Sequence, residues 1–117
     1  MRVVNRRDGK VLAWSAETAR GLVGRLIGLM GRRNLAAGGA LVIPGCRRIH
    51  TFFMRFPVDV LYADKDLRVV GVYENIPPWH IGGFCREAAY AIEFPAGAVS
   101  AAGVEVGDDL IIEGLGA

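Results

Sequence analysis

Glycine and proline punctuate this chain from end to end, with 16 glycines and 5 prolines among 117 residues, scattered instead of gathered into a linker. That spacing leaves room only for short elements joined by tight turns, which favours a mainly β chain. No internal repeat or low-complexity segment is visible. One domain over residues 1–117 is expected, and a domain of this size buries roughly 65% of its unfolded surface, enough for a core without staples. Hydrophobic residues make up 52% of the chain, yet no run approaches the ~18 consecutive apolar residues that a membrane span requires. The surplus belongs in the core or in an interface, a homodimer contact among the candidates.

Local patterns place most elements. Val3–Asn5 and Lys10–Trp14 flank Arg6-Arg7-Asp8-Gly9, where Asp-Gly supplies the positive φ angles of a hairpin turn. Ser15 precedes Ala19, Leu22, Val23, Leu26, Ile27 and Met30 at spacings of three and four, which predicts one main amphipathic helix near residues 16–30 with Ser15 as N-cap and Glu17 in the first turn. Gly21, Gly24 and Gly28 each cost that helix about 1 kcal/mol, so it packs closely on a sheet or ends near Gly28. Ala40–Ile43, stopped by Pro44-Gly45, reads as a buried strand. Val58–Ala63, a turn at 64–66, and Leu67–Tyr73 read as a second hairpin. Ala88–Phe94 is a further strand, with Tyr90, Ile92 and Phe94 on one face and Glu93 on the other. A turn at Pro95-Ala96-Gly97 leads to a short helix near Ala98–Ala102, and Asp109–Glu113 closes the chain as a last strand. Seven or eight strands and one main helix pack naturally as a small sandwich or barrel.

The formal net charge is +2, and Lys10 and Lys65 are the only lysines, so the basic side is almost wholly arginine. Arginine's fixed fork suits carboxylate or phosphate. The pairs Arg6-Arg7, Arg32-Arg33 and Arg47-Arg48 lie in different turn regions, and twelve acids accompany them. No basic stripe emerges, so nucleic-acid binding is not expected, although Phe52, Phe53 and Trp79 are of the type that stacks on bases. The start of the chain lacks the regions of a secretory signal, which points to the cytoplasm for the form given, or to the periplasm for an already trimmed chain.

The richest stretch is His50-Thr51-Phe52-Phe53-Met54-Arg55-Phe56-Pro57-Val58-Asp59, where three ionisable side chains sit among large apolar ones. Buried charges of this kind must be paired, hydrated or used. If the stretch alternates as a strand, His50, Phe52, Met54 and Phe56 share one face and Thr51, Phe53 and Arg55 the other. Asp59, on the face of Leu61 and Ala63, is then either a carboxylate paired with an arginine or the floor of a cleft, and Glu93 beside Ala89 and Ala91 leaves room for a ligand or a packed helix. His50, Phe53, Arg55, Asp59 and Glu93 form the candidate binding groove. Pro77-Pro78-Trp79-His80 is a stiff segment that either presents its tryptophan for recognition or caps the core.

Cys46 and His50 have the spacing of a metal-ligand pair, zinc being the candidate, or of a thiol with its base. An extended segment would hold their α-carbons ~13 Å apart, so only a curled one brings them together, with His80 and Cys85 able to complete a four-ligand set. Otherwise both cysteines act as small apolar core residues and no cofactor is predicted. Two classes of function follow. One is a non-catalytic module that binds a small anionic or apolar ligand, or a protein, in the groove. The other is a metal-assisted or thiol-dependent enzyme using Cys46 and His50, with Asp59 orienting the histidine.

Four pieces in order, Gly28-Leu29-Met30-Gly31-Arg32, the run from His50 to Asp59, Tyr90-Ala91-Ile92-Glu93-Phe94-Pro95-Ala96-Gly97 and Gly107-Asp108, resemble the signature of the family called domain of unknown function 192. The resemblance spans nearly the whole chain and implies a jelly-roll-like β sandwich with a helix, found in bacteria and archaea, often exported, with no established substrate and no catalytic residues to carry over. This chain departs from the commoner pattern at Phe53, where tryptophan is frequent, and at Leu67, where a glycine often completes the turn. It also lacks the export signal that many relatives carry.

Overall fold

The computed structural model describes residues 1–19 and 35–115. Among these, eight strands form two sheets. β1 (Val3–Asn5), β2 (Val11–Ala13) and β8 (Leu110–Ile112) make a three-stranded sheet in the order β2-β1-β8. β3 (Ser15–Thr18), β4 (Gly39–Pro44), β5 (Val58–Ala63), β6 (Val69–Ile76) and β7 (Tyr90–Pro95) make a five-stranded sheet in the order β3-β4-β7-β5-β6. A short helix, α1 (Ala98–Ala102), links β7 to β8. The fold is the expected mainly β sandwich, and both expected hairpins form, β1 on β2 and β5 on β6.

The start of the expected main helix does not form. Ser15–Thr18 is a strand paired in parallel with Gly39–Val42, and the rest of the expected helix lies outside the described residues. Ser15-Ala16-Glu17-Thr18 satisfies period two as well as period 3.6, because Ala16 is buried while Ser15 and Glu17 face solvent. Tertiary pairing decided between the two: Ser15 is therefore a strand residue and caps no helix here.

β5 and β7 are buried on both faces, so the large sheet is a septum between two cores. On its inner face Val42, Leu61, Ile92 and Phe94 pack against Val3, Leu12 and Ile112 of the small sheet. On its outer face Leu41, Ile43, Val58, Val60, Tyr62 and Ala91 pack under Ile49, Met54, Cys85 and Ala88. Those four covering residues come from two connections. β4 and β5 both pair antiparallel with β7 and so run parallel to each other; β6 runs parallel to β7 for the same reason. Parallel strands cannot be joined by a hairpin and require a crossover. Residues 45–57 and 77–89 are those crossovers, and both pass over the outer face. Ala19 and Leu35 pack in the same outer core.

Asp59 ties the inner core together. It is fully buried and stands on β5 opposite Phe94. One oxygen accepts the Asn75 amide at 2.8 Å, where β6 bulges and Asn75 takes φ 54°. The other accepts the amides of Gly97 at 2.9 Å and Val99 at 3.1 Å. A strand carboxylate thus caps the first turn of α1, whose own N-cap, Gly97 at φ 94°, has no side chain to do so. At the far end, Asp108 is buried and accepts from Asn5 at 2.9 Å, from Arg7 at 2.8 Å and from the Glu105 amide at 2.9 Å. The Arg7 hydrogen bond is the largest cause holding its carboxyl down at about 2. Leu67, in the β5–β6 turn, has φ 64°, which is the backbone reason a glycine is at home in that position.

Two outcomes are expected. Asp59→Ala leaves three amides without their acceptor and should cost about 3–5 kcal/mol in urea unfolding, with Asp59→Asn losing less; a loss below about 1 kcal/mol would show that water replaces the carboxylate. Because the Asp108 carboxyl is held low, its contribution to stability is present above the usual carboxylate range and is lost as pH falls through about 2. In acid titration followed by circular dichroism, Arg7→Ala should begin to unfold at higher pH than the parent.

Candidate functional site

Two crossovers pair with each other to build the outer surface. Cys85 donates its amide to the Arg47 carbonyl and Gly82 to that of Ile49, both at 2.8 Å. His50 and Ile81 form an antiparallel bridge. Thr51, buried and flanked by aromatics, is the rivet. Its amide reaches the His80 carbonyl at 2.8 Å, its carbonyl accepts from Trp79 at 2.9 Å, and its hydroxyl donates to the Pro77 carbonyl at 2.6 Å while accepting the His80 amide at 2.8 Å. The sequence reading missed Thr51; a small hydroxyl amid large apolar groups was the available signal. Gly82 and Gly83 permit the approach, since a Cβ would lie 3.1 Å from Ile49 at the first and 2.9 Å from the Tyr73 hydroxyl at the second.

The run from His50 is therefore not a continuous alternating strand. It turns at residues 51–54, where the Met54 amide returns to the Thr51 carbonyl at 3.2 Å and Phe53 takes φ 64°. Thr51 and Met54 are buried, while Phe53 and Arg55 face solvent. The crossover has to reverse its course to reach β5, and that geometric demand overrides the two-residue period.

Phe53 and Trp79 stand together at the tip. Trp79 also has a left-handed backbone, φ 65°. Their ring centroids lie 4.7 Å apart, and they are 58% and 59% exposed. Phe52 lies 6.2 Å from Trp79 and 5.2 Å from His50. Toward the other end of the ribbon the Arg48 guanidinium sits 5.7 Å over the exposed Phe84 ring. A positive φ in a bulky side chain costs of order 1–3 kcal/mol and persists only where surrounding structure enforces it. Here the Thr51 hydrogen bonds enforce it at Trp79.

The five groove candidates separate into three places. His50, Phe53 and Arg55 lie on the outer crossover. Asp59 and Glu93 lie on opposite faces of the large sheet, because Asp59 is opposite Phe94 and Glu93 is the next residue. Asp59 is occupied by backbone amides instead of an arginine. Glu93 sits on the outer face between Leu41 and Val60. It is 3% exposed, and its Oε2 has no hydrogen-bond partner. Burial pushes its carboxyl up to about 7.

Cys46 and His50 each turn to backbone groups. The Cys46 thiol donates to the Arg48 carbonyl at 3.1 Å, and His50 Nδ1 accepts the Phe52 amide at 3.2 Å. His80 Nδ1 lies 2.8 Å from the Pro78 carbonyl. Among the described residues no three of His, Cys, Asp or Glu gather as metal ligands. Cys85 is a buried thiol, pushed above its ordinary range by that burial. Tyr62, whose hydroxyl accepts the Ile49 amide at 3.1 Å, is pushed up to about 12 for the same reason.

The Glu93 environment carries a pH dependence. Its folded carboxyl titrates higher than the unfolded one, near 4.5, so its favourable state is complete below that value and is lost as pH rises through about 7. Ionising it in place should cost about 3 kcal/mol by pH 8. Urea unfolding at pH 5 and pH 8 should show Glu93→Gln gaining on the parent at the higher pH; an equal slope in both proteins would remove Glu93 as the cause.

The chain matches the DUF192 family, described as uncharacterised ACR, over residues 3–112. It is 32% identical over 112 residues to a UPF0127 protein of Pyrococcus furiosus, covering 92% of this chain and 95% of that one. It is 30% identical over 112 residues to a UPF0127 protein of Thermococcus sibiricus, covering 92% and 72%. The crystal structure of a proposed transcription regulator from Sinorhizobium meliloti 1021 superposes with TM-score 0.82 at 28% identity, covering 94% of this chain and 89% of that one. A protein of unknown function from Novosphingobium aromaticivorans DSM 12444 shares the fold, with TM-score 0.81 at 20% identity and coverage of 95% and 82%. With the fold, the ordered motifs and the match over residues 3–112 in agreement, this chain belongs to the DUF192 family.

Proposed function

We propose that this protein is a non-catalytic binding module whose recognition surface is the tip of the paired crossovers, and that it takes a ligand combining a flat apolar part with a negative charge. The observation that carries this reading is the Phe53–Trp79 pair, two large rings held 4.7 Å apart and more than half exposed on strained backbone. Exposing them forgoes the burial free energy of two aromatic side chains, which a core-forming role would have recovered. His50, half-buried, extends the ring surface, and exposed Arg55 supplies a cation beside it. Glu93 and Asp59 serve the scaffold in this reading and do not touch the ligand. The Sinorhizobium meliloti neighbour, described as a proposed transcription regulator, would also act through binding.

The thiol alternative draws less support. The Cys46 thiol is directed to the Arg48 carbonyl, and His50 Nδ1 is turned to the Phe52 amide and not to the thiol.

Anilinonaphthalene sulfonate, an anionic aromatic dye, tests the surface directly. Saturable binding to the native protein should weaken at least about 5-fold in Trp79→Ala, the loss of one stacking contact worth about 1 kcal/mol. Arg55→Ala should weaken it too, with circular dichroism unchanged in both. Dye affinity indifferent to both substitutions would place the binding elsewhere and overturn the reading.

A further inference from the structure

We infer that the ligand of this surface is single-stranded nucleic acid, an inference that rests on the binding reading above and names its substrate class. Crossover pairing creates what the linear order of the chain concealed. Residues 45–57 and 77–89 together hold four arginines, Arg47, Arg48, Arg55 and Arg86, against one acid, Glu87. That is a formal +3 on a chain whose total is +2. All four arginines are exposed, and among the described residues none takes part in an ion pair. Three of them meet at one end of the ribbon, because the Cys85 amide joins the Arg47 carbonyl and Arg48 lies over Phe84. Arg55, also exposed, follows Phe53 by two residues on the same crossover.

The same crossovers carry a chain of neighbouring flat groups. His50 is 5.2 Å from Phe52, Phe52 is 6.2 Å from Trp79, and Trp79 is 4.7 Å from Phe53. Exposed guanidinium groups and neighbouring rings on one surface match a strand that alternates phosphate and base. Each base has a π-face to stack, and each phosphate a charge to neutralise. A duplex hides those faces in its own stack, so the strand has to be single. A second copy of this chain is the poorer occupant: a self-complementary interface on this patch would set one +3 surface against another.

The test is fluorescence anisotropy with a labelled oligothymidylate of roughly eight nucleotides, a length within the range of small single-strand sites. Binding should weaken about 5- to 150-fold in Trp79→Ala and in Phe53→Ala. Trp79→Phe, which keeps a ring on the same backbone, should retain most of the affinity. Each arginine replaced by alanine at Arg48 or Arg55 should lower the salt slope by about 0.7. No oligonucleotide binding alongside Trp79-dependent dye binding would overturn this inference and leave the binding module standing. Failure of both would overturn both. Equal affinity for the duplex form of the oligonucleotide, or a dimer in sedimentation that Trp79→Ala dissolves, would also overturn the assignment.

Discussion

The strand order β3-β4-β7-β5-β6 is the constraint on which the rest of the molecule depends. Placing β7 between β4 and β5 makes the latter pair parallel, and parallel strands need a connection that crosses a face of the sheet. Two such crossings lie on the same outer face, and they cover it with Ile49, Met54, Cys85 and Ala88. A septum with apolar residues on both sides results, which explains why β5 is buried at every position. The inner face is closed separately by the small sheet. A chain of this length thereby obtains two cores from one sheet.

That arrangement separates the buried structural polar groups from the exposed aromatic and cationic ones. Asp59 and Asp108 face inward or toward the small sheet and use their lone pairs on backbone amides and side chains of the scaffold. Glu93 is the exception, a carboxyl in the outer core whose Oε2 has no partner and whose burial pushes its titration up to about 7. The aromatic and cationic groups lie outside both cores, on the backs of the crossovers. Thr51 makes this possible, because its hydrogen bonds satisfy the polar groups of two loops at once and fix the backbone that carries Trp79.

Departures from the family pattern acquire a physical meaning in three dimensions. Leu67 and Phe53, the two positions where the resemblance implies a commoner residue, each have a φ of 64°. At Leu67 the cost of that conformation is set against packing on the inner core. At Phe53 the ring is exposed and meets Trp79, so the strained backbone there serves no core packing.

Local chemistry determined much of the fold. Asp8-Gly9, the turn at residues 64–66 and Pro95-Ala96-Gly97 mark reversals that depend on neighbouring residues alone, and the strands between them appear where alternation and β-branched side chains place them. The position of Asp59 on the face of Leu61 was legible for the same reason: strand alternation is a local property. Tertiary structure decided what depends on residues far apart in sequence. Ser15–Thr18 suits either a helix or a strand, and only the presence of β4 alongside it selects the strand. The groove drawn from His50 to Glu93 is divided because Glu93 and Asp59 occupy opposite faces of a sheet whose pairing no local pattern records. The gathering of Arg47, Arg48, Arg55 and Arg86 with Phe53 and Trp79 comes from two crossovers pairing through Thr51, a contact between segments some thirty residues apart. Periodicity reports which side of an element faces inward; it carries no information on which element lies opposite.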